Sequence, residues 1–512
     1  MTPKYKSFPR RLLGAGLLLA FSATATGDDL PGKLDAFMAE MEQSPYAPPS
    51  YSLAVASGDG LLYSRLHGNK VAGSDAPLSM ETPLYIASVS KSFMGLLAAN
   101  LDADGVLSLD ATLASEWPGL DLPEPIDPAK ITMRKLLSHD FGFENAPLVV
   151  RTAYIGGTPV ADYEEILEQH SAPTGPGFSY DNLGYLIYAA VLERKTGRSW
   201  KDWLKSDIHG PLGLTSASNV PSEIPVADIG LGNHFNPLST TGWDVAPAKQ
   251  DDMMHPAGGH FISTADAMKW LQANMKRKLF DPAIYETAQT AYAKRDPAKK
   301  YADMTCDGYG LGWQSCDYNG HRVFYHGGTY DGMMIFMVFL PDDDLVVSSV
   351  NGARAFGWTF GWSALQQAID YALNVKGADA NAAKRLEGRV ASQARYANFR
   401  VRIREDALRK ATSPEAAALR AKLVGTYRSS AYGDASLCDV GGKLTLKIGH
   451  FAAEILAGRD NTAYMLERAF GEPSKLKIKQ QTGAAAPSFT WQGGTFDHVT
   501  SEGCLGVEDN SR

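Results

Sequence analysis

Cysteine is scarce: four residues in a chain of 512. None are spaced as Cys-x-x-Cys, which removes the usual zinc-site signature. Long apolar runs are also missing. Past the N-terminal region no stretch reaches the length needed to cross a bilayer, so no stable membrane insertion is expected. Charge of one sign is missing too. Lys and Arg total 49 against 57 Asp and Glu, a formal net charge of −8, and this lacks the basic excess of a nucleic-acid binder. What is present is the mixture of a soluble globular protein, 44% hydrophobic, 21% charged and 10% aromatic. The length exceeds one ordinary core, so two or three domains are expected.

The first 25 residues have the layout of a targeting segment. Lys4, Lys6, Arg10 and Arg11 form a basic start, 12–21 is a short apolar run, and Ala23-Thr24-Ala25 is a small-residue cleavage site. Arg10-Arg11 matches a twin-arginine signal poorly, and no cysteine follows the apolar run to carry a lipid. The expectation is a cleaved export signal and a periplasmic or secreted protein. Four cysteines suit that compartment. Of three possible pairings the simplest joins Cys306 to Cys316 and Cys438 to Cys504. Free buried thiols are the alternative.

Apolar spacing predicts an amphipathic helix over 30–43, through Leu30, Leu34, Phe37, Met38 and Met41. Two strands follow, at 51–56 and 61–66, around the turn Gly58-Asp59-Gly60. Helices are expected near 131–138, 163–169, 183–195 (ended by Gly197), 200–208 and 264–275. Residues 220–256 have little periodicity and are expected to form a surface excursion. Strands are predicted at 309–314, 322–326, 333–340 and 345–350, and a closing helix at 360–373. Strands at both ends of a helical middle imply an α+β domain: one antiparallel sheet flanked by helices. A charged, Ala-rich helical linker covers 376–421, restarted at Ser413-Pro414-Glu415. Past Gly425 short alternating runs predict a small all-β barrel or sandwich. The expected division is a signal at 1–25, a main domain at 26–375, the linker, and a β domain at 422–512.

The chemistry concentrates in 86–97, the mouth of a helix with an apolar run behind it. Ser88 and Lys91 are three residues apart and share a helix face. A serine hydroxyl is a poor nucleophile until a base takes its proton, and a lysine kept neutral by burial or by nearby cations can be that base. Backbone N–H groups at a helix start also stabilise developing negative charge. Taken alone, Ser-x-x-Lys is better explained as a helix cap and a solvated lysine, and a second copy at Ser474-Lys475-Leu476-Lys477 sits in a strand-like segment.

Two more motifs change the weighting: Tyr180-Asp181-Asn182 and His326-Gly327-Gly328. With Ser88-Val89-Ser90-Lys91 they give the chain a resemblance to the serine β-lactamase/penicillin-binding protein superfamily. The match is to the class C-like branch with its D-peptidase, D-aminopeptidase and esterase relatives. The flanks 104–110, 131–139 and 258–265 also match, and the resemblance covers about 30–375. More weakly, the C-terminal region resembles the lipocalin-like β domain that follows some members. The resemblance implies a β-lactamase/transpeptidase-like fold with a helical subdomain, and a reaction through an acyl-enzyme. Ser88 would attack the carbonyl, Lys91 would accept its proton, and Tyr180 would shuttle a proton to the leaving group. Asn182 would hold the substrate amide and Lys91, and His326 would bond Tyr180 or a substrate carboxylate. Gly328 belongs to the strand motif, and the N–H groups of Ser88 and Thr329 would form the oxyanion hole. His-Gly-Gly stands where β-lactamases of this branch usually carry Lys-Thr-Gly, which moves the weight towards peptidases and esterases.

The expected activity is cleavage of a peptide or amide bond, D-aminopeptidase- or carboxypeptidase-like, on a small peptide, amide or ester substrate and without a cofactor. A carboxylesterase or a β-lactamase is the chemical alternative. A non-catalytic binder of peptides or cell-wall fragments is the alternative of another class, and it would not need Ser88, Lys91 and Tyr180 together. His255 and His260 suggest a metal but lack a third ligand at suitable spacing. His139 suits a structural loop residue, and 342–344 a solvated turn. The C-terminal β domain is short for a barrel that encloses a lipid or acyl group, and a lid or spacer shaping the cleft is favoured.

Overall fold

The structure, a computed structural model, describes residues 29–501 except 237, 238, 240, 297–302, 441–442, 458–461, 467–473 and 480–486. The proposed targeting segment and Cys504 lie outside the described residues. Helix α1 (Leu30–Glu42) buries Leu34, Phe37, Met38 and Met41, four of the five residues its periodicity singled out, and leaves Leu30 partly buried. Strands β1 (Tyr51–Ala56) and β2 (Leu61–His67) form the expected hairpin. Helix α2 (Ser90–Ala103) follows, preceded by a 3-10 turn that holds Ser88. Then come α3 (Leu183–Thr196), closed by left-handed Gly197, and α4 (Thr264–Lys276), capped by the Ser263 hydroxyl.

Six strands complete the large sheet: β3 (Ala293–Lys294), β4 (Thr305–Tyr309), β5 (Gln314–Tyr318), β6 (His321–Tyr330), β7 (Met333–Leu340) and β8 (Leu345–Asn351). The spatial order is β2-β1-β8-β7-β6-β5-β4-β3, antiparallel throughout. Both faces of its centre are covered, so β7 is buried along its whole length. Ile335, Met337 and Phe339 point into the core shared with α2, α3 and α4, while Met334, Phe336, Val338 and Leu340 point into the core under α1 and α5 (Arg354–Ala372). This period-two split explains why the strand shows no polar alternation.

Two expectations are corrected. No strand spans 309–314: the chain turns at 310–313 between β4 and β5, where Gly312 has φ +106°. A β-carbon on Gly312 would lie 2.3 Å from the Lys91 carbonyl oxygen, so this glycine permits close packing on α2 and breaks the strand. Nor is 220–256 only a surface excursion. It carries a small ribbon (Asn233–Phe235 with Trp243–Val245) and buries Lys249, Met253, Met254 and His255.

Helix α6 (Ala378–Ala411) lies on the main domain rather than apart from it. Arg385 pairs with buried Asp370 at 2.8 Å, and Arg389 donates to the Met41 carbonyl at 2.7 Å. Helix α7 (Pro414–Leu423), capped by Ser413, leads into β9 (Gly425–Ser429). Seven more strands follow: β10 (Gly433–Val440), β11 (Lys443–Ile448), β12 (Phe451–Ala457), β13 (Thr462–Leu466), β14 (Ser474–Lys479), β15 (Ser488–Trp491) and β16 (Gly494–Thr500). They close into an antiparallel barrel through pairing of β9 with β16. The second Ser-x-x-Lys lies in β14. Tyr427, Leu437, Leu446, Phe489 and Phe496 pack in the barrel's apolar cluster, with Phe489 and Phe496 stacked at 4.8 Å. That filling favours a packed module over a lipid container. Cys306 and Cys316 form a disulfide, as the simplest pairing expected. Cys438 is also disulfide-bonded, to a partner outside the described residues.

Gly95 shows how tightly the site's helix is seated: a β-carbon there would lie 1.3 Å from the Leu311 carbonyl oxygen. Gly95→Ala is therefore expected to destabilise the protein by about 2 kcal/mol or more, although alanine is the better helix former. A thermal melt checks this, and an unchanged or raised Tm would show that the 310–313 turn can retreat.

Candidate active site

The site is built at the N-terminal end of α2. Ala87, just before Ser88, has φ +47°, a left-handed conformation that costs a non-glycine residue energy and recurs where a side chain must be presented. Ser88 is partly exposed, and Lys91, one turn on, is wholly buried. Lys91 Nζ lies 3.1 Å from Ser88 Oγ, 2.6 Å from Asn182 Oδ1 and 2.8 Å from the Ala257 carbonyl oxygen. Burial pushes the lysine well below its ordinary pKa, and the Asp181 carboxylate opposes that. A neutral amine has two N–H donors and one lone pair. Asn182 and Ala257 take the two donors, which leaves the lone pair for the Ser88 hydroxyl. The arrangement can move a proton from Ser88 Oγ to Lys91 Nζ.

Tyr180 stands at the mouth, 45% exposed, with its ring centroid 4.9 Å from Lys91 Nζ. His139 holds this loop. Its Nδ1 accepts from the Asp181 N–H at 3.2 Å, and its ring lies 4.4 Å from that of Tyr180. Burial, followed by the nearness of the basic groups Lys91 and His326, keeps His139 well below the usual histidine range, so Nδ1 is free to accept. The structural role expected of His139 is thus its position here.

The opposite wall is β6. Its pairing with β5 ends at Tyr325, whereas its pairing with β7 runs on to Tyr330. Residues 326–330 therefore offer an open edge to the cleft. A β-carbon on Gly328 would lie 2.4 Å from the Ile86 carbonyl oxygen and 3.2 Å from the Ser88 nitrogen, so glycine is what lets the strand lie against the Ser88 turn. Thr329 follows, exposed. His326 differs from its expected role. Its Nδ1 lies 2.8 Å from the Gly327 carbonyl, which only accepts, so Nδ1 carries the proton. Nε2 then accepts from the Tyr309 hydroxyl at 2.9 Å. Burial, with help from the Lys91 charge, pushes His326 down to about 3, so it is neutral at ordinary pH.

The sequence motifs thus come together: Ser88, Lys91 and Asn182 by direct contact, Tyr180 over the lysine, and Gly328 against the serine turn. Sequence reasoning missed Tyr309, buried among His139, Phe178, Tyr180 and His326. It also missed the Ala257 carbonyl, although the flank beginning at Gly258 pointed to its neighbourhood. His255 and His260 are buried, with His260 packed on Phe93 at 4.2 Å. Among the described residues no three His, Cys, Asp or Glu side chains are grouped to hold a metal ion. No described helix is long and apolar enough to cross a membrane.

Comparison with known proteins identifies the family of the chain. Residues 34–350 match the Beta-lactamase family. Penicillin-binding protein 4 of Amycolatopsis lactamdurans is 25% identical over 60% of this chain and 82% of its own. Unguisins hydrolase ungD' of Aspergillus campestris is 24% identical over 58% of this chain, which spans only 57% of that relative. Among solved structures, the octameric penicillin-binding protein homologue from Pyrococcus abyssi aligns with a TM-score of 0.58 at 19% identity, covering 91% of this chain and 99% of its own. The D-amino acid amidase from Ochrobactrum anthropi SV3 aligns at 0.54 and 19% identity, over 67% and 96%. The chain belongs to the Beta-lactamase family, on a large sheet covered by helices and followed by a closed barrel.

If Lys91 is the base, reaction at Ser88 needs its neutral form. The rate of Ser88 modification by a fluorophosphonate should then rise with pH, with a midpoint well below that of an ordinary lysine. Asp181 holds that midpoint up, so Asp181→Asn should move it to lower pH. A midpoint that stays or climbs in this variant would contradict the electrostatic assignment.

Proposed function

We propose that this member of the Beta-lactamase family is a serine hydrolase that cleaves a peptide or amide bond through an acyl-enzyme on Ser88. The observation that carries the reading is Lys91: buried, with both amine protons directed to Asn182 and Ala257, and 3.1 Å from Ser88 Oγ. In the proposed reaction Lys91 takes the Ser88 proton as Oγ attacks the carbonyl carbon. The N–H groups of Ser88 and Thr329 receive the oxyanion, a donor pair in which each member is typically worth ~3 kcal/mol of barrier. Tyr180 passes a proton to the leaving amine, which departs to leave the acyl ester. Water then attacks the ester, the proton returns along the same groups, and Ser88 is released with the acid.

The preference for amides over penicillins rests on His326. Neutral, with both ring nitrogens engaged, it offers no cation to a substrate carboxylate at the position it occupies. Relatives named as a D-amino acid amidase, a hydrolase and penicillin-binding proteins support amide chemistry in general. A carboxylesterase is the second reading, because the same acyl-enzyme accepts an alkoxide leaving group. Export is part of the proposal: the Cys306–Cys316 disulfide suits an oxidising compartment.

Intact-mass measurement after exposure to a fluorophosphonate and to a fluorescent penicillin tests this, with Ser88→Ala as control. Labelling by the phosphonate that disappears in Ser88→Ala is expected, followed by turnover within a panel of D- and L-aminoacyl amides. Turnover of short acyl esters alone would favour the esterase, penicillin labelling with rapid release the β-lactamase, and no adduct at all the binding protein.

A further inference from the structure

A second lysine is buried beside the site, and the chemistry above does not use it. Lys249 is 4% exposed, in the segment 220–256. Its Nζ donates to the carbonyls of Ala153 and, at 3.2 Å, of Met253. Around it stand three tyrosines, with ring centroids 3.9 Å (Tyr330), 5.5 Å (Tyr85) and 5.8 Å (Tyr154) from Nζ. Two carbonyls and the face of the Tyr330 ring meet the N–H bonds of the amine, and burial pushes Lys249 well below the ordinary lysine range, opposed by Asp331 and Asp252.

These rings belong to the machinery. Tyr330 is the last residue of β6, next to Thr329, and Tyr85 lies three residues before Ser88. Tyr85 and Tyr330 touch edge to face at 5.2 Å, Tyr154 stacks on Tyr330 at 5.2 Å, and the Tyr330 hydroxyl donates to the same Ala153 carbonyl at 3.1 Å. Lys249 therefore ties the end of the open edge strand to the turns Arg151–Ile155 and Asp251–Met253.

The C-terminal barrel grips those two turns. Val150 and Ile155 belong to the barrel's own apolar cluster. The His450 N–H, in the turn between β11 and β12, donates to the Ile155 carbonyl at 2.9 Å, and its ring pairs with Asp252 at 3.0 Å. A β-carbon on Gly449 would lie 2.4 Å from that Ile155 oxygen, so the turn is fitted to the surface. A continuous series of contacts runs from the barrel, through Ile155 and Asp252, to Lys249, Tyr330 and Thr329.

We propose that Lys249 is a positioning residue for the oxyanion end of the edge strand, and that the C-terminal barrel acts on the reaction through it. The inference rests on the serine-hydrolase reading. It gives the barrel a task other than covering the cleft: it fixes the two turns whose carbonyls hold the lysine.

The test uses the full chain and a fluorophosphonate probe, so it needs no identified substrate. The saturating rate of Ser88 modification, the half-saturating probe concentration and the final labelled fraction are measured for the unaltered protein, Lys249→Met, His450→Ala and the double variant. Lys249→Met is expected to lower the saturating rate about tenfold and leave half-saturation within about twofold, because small displacements of reacting groups act on the rate. His450→Ala, on a half-exposed turn and safe for folding, should lower it in the same direction by about threefold, and the double variant should be no worse than Lys249→Met, as expected of residues acting in series. A purely structural role would instead reduce the labelled fraction at an unchanged rate, and would overturn the proposal. An unaltered rate in both single variants, or fully multiplicative losses, would overturn it as well. Absence of labelling in the unaltered protein would remove the serine-hydrolase reading itself, a result separate from either of these.

Discussion

Everything at this site depends on keeping one amine out of water. Moving an isolated ammonium into an apolar interior is so unfavourable that the group gives up its proton instead. Lys91 is wholly buried, and its burial is enforced by the way α2 is seated. Gly95 and Gly312 let the 310–313 turn lie directly on the helix, and Phe93 stacks on Trp270 at 3.8 Å one layer below. The two carbonyl-type acceptors, Asn182 Oδ1 and Ala257 O, then do more than satisfy a polar group. They decide which way the lone pair faces, and it faces Ser88.

The second constraint is the approach of a strand to a helix turn. Nothing larger than glycine at 328 lets β6 reach the Ser88 turn, and nothing in β5 continues far enough to cover the strand's edge. Those two facts give the cleft its shape. The Tyr309 hydroxyl then sets the chemistry of its wall by donating to His326, whose other nitrogen is committed to its own backbone. A lysine there would be a cation facing the substrate, and a neutral histidine is not. The barrel contributes at a distance, through packed side chains and two carbonyls.

Much of this was legible in the chain. Three spaced motifs were readable as a helix start, a loop before a helix and a strand, and the family resemblance they carry implied that Ser88, Lys91, Tyr180, Asn182, His326, Gly328 and Thr329 share one site. The helices α1, α3 and α4 were visible from periodicity and caps. The strand expected at 309–314 failed for a physical reason: Gly312 serves a close approach to α2 and Gly310 one to the backbone of Ala288 and Thr290, which propensity cannot see. Residues 220–256 gave no periodic signal because their buried groups, Lys249 above all, answer to neighbours far away in sequence.

The sequence by itself marked Ser88 and Lys91 as the candidate nucleophile and base and carried the resemblance to the family, since these rest on residue types at short spacings. Only the tertiary structure decided protonation and direction. The depressed pKa of Lys91 and the neutral state of His326 come from burial, the tautomer of His326 from its contacts with Gly327 and Tyr309, and the open edge of β6 from where β5 stops. None of these has a local signature. Desolvation and hydrogen-bond direction are set by groups the fold brings together, and a linear pattern does not record them.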